Sequence, residues 1–118
     1  MRDHEGFCND IFKIDKRIRY VGIIDESRTY QKMRKGLQCL LDTEETRESM
    51  EDAILRWETR KKLSKKTGEP LYAMAMYEKV KRFTVPLEND GLILVSMDPS
   101  GYHEVIIQEI LHIKNNFL

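Results

Sequence analysis

The chain has 118 residues, of which 41% are apolar, and its 20 Lys+Arg balance 20 Asp+Glu to a formal net charge of zero. That length suits one domain, and that composition excludes low-complexity disorder and a uniformly basic nucleic-acid binder. Two cysteines, Cys8 and Cys39, are too few for a disulfide framework, and no run approaches the roughly 20 apolar residues of a membrane span. The first residues are polar, so no secretory signal is expected. The expectation is a single cytoplasmic domain over residues 1–118 with free thiols.

Residues 3–16 read as a short helix, because Phe7, Ile11 and Ile14 recur at helical spacing and Cys8 and Phe12 widen the stripe. Ile18–Asp25 reads as a strand; from Tyr20 to Ile24 neither alternating set is polar, so cover on both faces is expected. The turn Asp25-Glu26-Ser27-Arg28 leads to a second strand over 29–33, whose Gln31 and Lys32 suit a sheet edge. Residues 36–41 connect to a long helix over 42–67. Asp42 or Thr43 caps it, with Glu45 as capping-box partner. Met50, Ala53, Ile54 and Trp57 form its inward stripe. Gly68 supplies a left-handed stop and Pro70 prevents resumption.

Three strands follow. Residues 71–78 are apolar on both faces. Residues 82–87 come after a reversal at Lys79-Val80-Lys81, and Pro86 marks the end of that strand or a missing partner. Leu92–Met97 follows the turn Glu88-Asn89-Asp90-Gly91, whose Asp-Gly pair signals a hairpin. After Asp98-Pro99-Ser100-Gly101, a last helix puts Tyr102, Ile106, Ile110, Ile113 and Phe117 on one stripe, broadened by Ile107 and Leu111. The order α-β-β-α-β-β-β-α is satisfied by an α+β fold, a five-stranded antiparallel sheet with helices on both faces.

This order resembles the roadblock/LC7 domain, a profilin-like fold, over nearly the whole chain. The carrying segments are Tyr20-Val21-Gly22-Ile23-Ile24-Asp25 with its hairpin, the long helix, Arg82-Phe83-Thr84-Val85-Pro86-Leu87, and Asp90-Gly91 with the strand through Asp98. Ser27-Arg28 departs from the family pattern, which has Gly after the first-hairpin Asp turn. The segments IRYVGIID, YEKVKR and LILVSMDP also resemble an uncharacterised archaeal family from ammonia-oxidising lineages. The roadblock resemblance implies a non-catalytic regulatory or scaffold module. Such domains dimerise by pairing the strand after the long helix and by packing the long helices together, and many bind a small GTPase. Here those surfaces fall on residues 71–77, with Tyr72, Met74 and Met76, and on the helix bearing Met50, Ile54 and Trp57. The Tyr- and Met-rich strand independently has the composition of interface cores. The same residues would also suit packing beneath the helices.

No P-loop, nucleophile elbow, dinucleotide glycine pattern or HExxH motif occurs, and neither an enzyme nor a cofactor is expected. His4 and Cys8 lie one helical turn apart, but two ligands do not make a zinc site. His103 and His112 fall on different parts of the last helix. Cys39, beside Leu37, Leu40 and Leu41, reads as a small core residue. The sharpest remaining feature is charge segregation. Residues 42–52 hold six acids against Arg47, whereas residues 56–82 hold nine cations against three acids. Lys61, Lys62, Lys65, Lys66, Lys79, Lys81 and Arg82 form a candidate patch for an anion or acidic partner. Lysines favoured by the helix dipole on a solvated face explain the same residues. On the basic helix itself base-stacking aromatics are limited to Trp57, which ranks nucleic acid below a protein partner. A further alternative, a small-molecule sensor of the PAS class, requires an apolar pocket between sheet and helix.

Overall fold

The computed structural model describes residues 3–26 and 28–116. In chain order the elements are α1 (His4–Ile14), β1 (Ile18–Asp25), β2 (Arg28–Met33), α2 (Thr43–Lys61), α3 (Ser64–Thr67), β3 (Ala73–Met76), β4 (Lys81–Pro86), β5 (Leu92–Met97) and α4 (His103–Lys114). The strands form one antiparallel sheet in the order β2-β1-β5-β4-β3. β5 and β1 lie centrally and β2 and β3 are the edges. Ser27 and Phe117, named above in a turn and a helical stripe, lie outside the described residues.

Strand alternation divides the core into two layers. Val21, Ile23, Phe83, Val85, Ile93, Val95 and Met97 pack against Phe7, Cys8 and Ile11 of α1 and Ile106, Ile107 and Ile110 of α4. On the other face Ile24, Leu92 and Leu94 meet Met50 and Trp57 of α2. Gly22 belongs to this second face. A Cβ there would lie 2.6 Å from the Tyr20 hydroxyl and 3.1 Å from Met50 Cε, so only glycine lets both approach. Arg34, just past β2, ties α1 to β1. Its Nε donates to the Ile18 carbonyl at 2.6 Å, and its Nη2 to those of Phe12 and Asp15 at 2.7 and 2.8 Å. Of these, the Phe12 carbonyl is one that the end of α1 leaves without an intrahelical partner, the Asp15 carbonyl also accepts from the Ile18 amide at 3.2 Å, and the Ile18 carbonyl belongs to the first residue of β1.

The capping box at α2 forms as expected. Asp42 Oδ1 accepts from the Glu45 amide at 2.8 Å, and Glu45 Oε1 accepts from the Asp42 amide at 3.0 Å. The helix is not continuous to Thr67. At Lys62 and Leu63 the amides reach back three residues, to Thr59 and Arg60, instead of four, and α3 begins anew. Gly68, at φ +84°, ends α3 as anticipated.

Two expectations are corrected. The strand expected over 71–78 is only Ala73–Met76 and is not covered on both faces; its residues alternate half-buried and exposed. It lies at the sheet edge, where Ala73 turns to α2 while Met74 and Met76 point to the opposite face, outside the buried α1 and α4 layer. Tyr102 is not on the inward stripe of α4; it is the N-cap residue and 85% exposed. The hairpin between β4 and β5 forms over Glu88-Asn89-Asp90-Gly91 as expected, with Asn89 and Asp90 at its centre at φ +58° and +62°. The Gly91 amide closes it onto the Glu88 carbonyl at 3.2 Å. Among the described residues no helix is long and apolar enough to cross a membrane.

Candidate interaction surface and adjoining pocket

β3 presents an apolar free edge. Tyr72, Met74, Met76 and Tyr77 are all exposed, Met76 to 56%. The other edge, β2, is built differently. Lys32 donates to Asn9 Oδ1 at 2.8 Å and pairs with Glu5 at 3.5 Å, both on α1. Arg28 and Gln31 keep β2 polar as well.

The three helix residues expected at an interface separate. Met50 and Trp57 are buried against the chain's own sheet, 9% and 4% exposed, and so are not available as an interface core. Ile54, expected on the inward stripe, is exposed instead, as is Leu55. The stripe is narrower than its spacing suggested because α2 meets the sheet mainly through Thr46, Met50 and Trp57. Its outer side carries ion pairs along the helix: Arg47 with Glu44 and Glu51, and Arg56 with Asp52 at 2.5 Å.

The basic patch also separates. Lys61 Nζ donates to Asp90 Oδ1 at 2.5 Å, at the β4–β5 turn. Lys79, Lys81 and Arg82 lie at the opposite end of β4, about 20 Å away at ~3.3 Å per strand residue. Lys81 is buried; its Nζ donates to the Gly101 carbonyl and lies 3.3 Å from His103 Nδ1. Lys62, Lys65 and Lys66 remain exposed beside α3.

A pocket of about 530 Å³ opens between the first turns of α2, the connection at 39–41, the reversal at 77–80 and the sheet. Tyr20, Met33, Leu40, Met50 and Leu94 supply apolar wall, and Arg19, Glu78, Lys79 and Arg82 the charge. Arg19 is engaged by Asp98 at 3.2 Å. Arg82 donates to the Ser49 hydroxyl. Burial raises the Tyr20 phenol pKa, and the nearby Arg82 charge opposes that shift. Cys39 lines this pocket and is exposed, contrary to the core position expected. The leucines around it belong to a connection on the rim, not to a packed layer. The pocket is the element sequence reasoning located least well; the sensor alternative required one here, but no motif marked its residues.

His4 and His103 are engaged away from this pocket. His4 Nε2 lies 3.0 Å from Asp25 Oδ2, and its ring stacks on Tyr30. Cys8, one turn along, is fully buried, and burial pushes its thiol up to about 12. His112 is exposed.

No protein-family model and no curated protein matches the chain. Solved structures do. A roadblock/LC7 domain from Streptomyces avermitilis superposes with TM-score 0.73 and 8% identity, covering 97% of this chain and 93% of that one. MglB from Myxococcus xanthus gives 0.68 and 12%, covering 94% and 87%. An MglB with a tetrameric arrangement gives 0.65 and 12%, covering 97% and 89%. Element order, antiparallel sheet and near-complete coverage agree, and the chain has the roadblock/LC7 fold.

Proposed function

We propose that the chain is a non-catalytic regulatory module that forms a homodimer across β3 and the outward side of α2, and offers that dimer to a protein partner. The observation that supports this most is the open edge of β3, flanked by exposed Tyr72, Met74, Met76 and Tyr77. A second copy adding its own β3 would satisfy the free backbone groups and cover the methionines. Ile54 and Leu55 extend the same apolar character onto α2. Met50 and Trp57 act from beneath, by setting the height of α2 over the sheet. A small GTPase is the first partner to try, because the roadblock resemblance implies one, and a cytoplasmic location belongs to the same reading.

Size-exclusion chromatography with light scattering tests the assembly. The unsubstituted chain is expected to run as a dimer at micromolar concentration. Met76→Glu should shift it toward monomer with the fold retained, since that side chain is exposed. A monomer at high concentration without substitution overturns the reading. Co-elution with a small GTPase from the same genome, in its two nucleotide states, tests the partner.

A further inference from the structure

We propose that the pocket beneath α2 binds a small apolar carboxylic acid in its ionised form. Its volume, about 530 Å³, falls within the roughly 300–1,000 Å³ of small-molecule sites. Its walls are the right kind: Met33, Met50 and Leu94 offer apolar surface to an acyl chain or flat apolar body, with the exposed Leu40 at the rim. The head group is specified by Arg82. This guanidinium is half-buried at the wall and donates to the Ser49 hydroxyl. Among the described residues it forms no ion pair, although Glu78 also borders the pocket. A guanidinium has five N–H donors in a planar fork that matches a carboxylate. A cation beside apolar wall is stabilised by a counter-ion that remains there. Arg19 does not compete for the ligand, because Asp98 holds it. Together these features describe a site whose half-buried anionic contact is Arg82, with Lys79 and Glu78 at the exposed reversal beside it and apolar side chains over much of the wall. The site lies on the sheet side of α2 and shares only Tyr77 with the exposed residues named for the dimer, so it does not rest on the dimer reading.

The test uses the full chain and dodecanoate below its micelle concentration, with dodecanol as the uncharged control. Calorimetry should show one dodecanoate per chain, and dodecanol binding at least tenfold more weakly. In Arg82→Gln the two should bind alike. Cys39 reports the location. It is exposed on the pocket rim while Cys8 is fully buried, so maleimide labelling of the folded chain follows Cys39. Saturating dodecanoate should slow that labelling several-fold. Leu94→Trp should fill the pocket and abolish binding; the Cys39 readout needs no substitution should that variant fail to fold. No binding of dodecanoate overturns the proposal. So does equal binding of dodecanol to the unsubstituted chain, or binding that leaves Cys39 labelling unchanged.

Discussion

The two faces of the sheet are made from the same strands but closed to different degrees. Among the described residues, the face under α1 and α4 holds fifteen mutually packed buried residues, and the face under α2 holds five. The strands account for half of that gap: they supply eight residues to the first layer and three to the second, because Gly22, Arg82, Thr84 and Ser96 stand at alternate strand positions and belong to neither buried cluster. The helices account for the other half. α1 and α4 offer apolar residues at each turn, whereas α2 spends most of its circumference on Glu, Asp and Arg. One face is therefore a stabilising core. The other is a partly filled layer able to hold a ligand beneath α2 or a partner above it.

This contrast can be broken by measurement. The largest effect is expected from Phe83→Ala, which empties a fully packed site and should cost about 3–5 kcal/mol in urea unfolding. Leu94→Ala, at the pocket wall, should cost nearer 2 kcal/mol, because that layer already contains space. Equal losses would remove the distinction. Arg34→Met should cost about 2–3 kcal/mol, since carbonyls of Phe12, Asp15 and Ile18 lose a charged donor together. Hydrogen exchange should report that loss at α1 and β1 and leave α2 unchanged.

A smaller effect sharpens the contrast through pH. The Cys8 thiol is held near 12 by burial, against 9.0 when exposed. Below pH 9 both folded and unfolded chains keep the proton, and the thiol adds no pH dependence. Between pH 9 and 12 the unfolded chain releases it first, so stability falls as pH rises, by about 1 kcal/mol at pH 10. Cys8→Ala should flatten that part of the profile; an unchanged slope would mean that the thiol is more accessible than the packing indicates. The smallest effect is expected from Asp42→Ala, which removes the α2 cap for about 1 kcal/mol. Faster exchange confined to α2 would mark the helix as a locally unfolding unit.

Much of the fold was legible where pattern and punctuation agree. Ile18–Asp25 and Leu92–Met97 could be read to the residue, because continuous apolar runs rich in β-branched residues end at turn residues. Asp42 and Glu45 located the start of α2 because a capping box is a local device. What failed is what depends on distant partners. Met74 and Met76 read equally as an interface edge or as packing beneath the helices, because apolar character does not distinguish a buried side chain from one left open at an edge. Lys79, Lys81 and Arg82 are close in sequence but do not form one patch: Lys79, exposed at the reversal, and Arg82, half-buried on the sheet, border the pocket, whereas Lys81 is buried against the Gly101 carbonyl. Strand alternation and local cover decide that, and Lys61 is removed from the group by the length of β4. The pocket is formed by side chains that stop short of one another, from segments as distant as Tyr20 and Leu94, and a gap of that kind has no motif.

The unequal edges of the sheet also govern how large an assembly can grow. An apolar edge at both ends would let copies add without limit, as in a fibril. Here the far strand is guarded by Lys32 and its tether to α1, leaving a single open end per molecule. Joining two such ends about a two-fold axis consumes both and presents guarded strands outward. Growth by strand addition would stop at two, and any higher order would have to use a different surface.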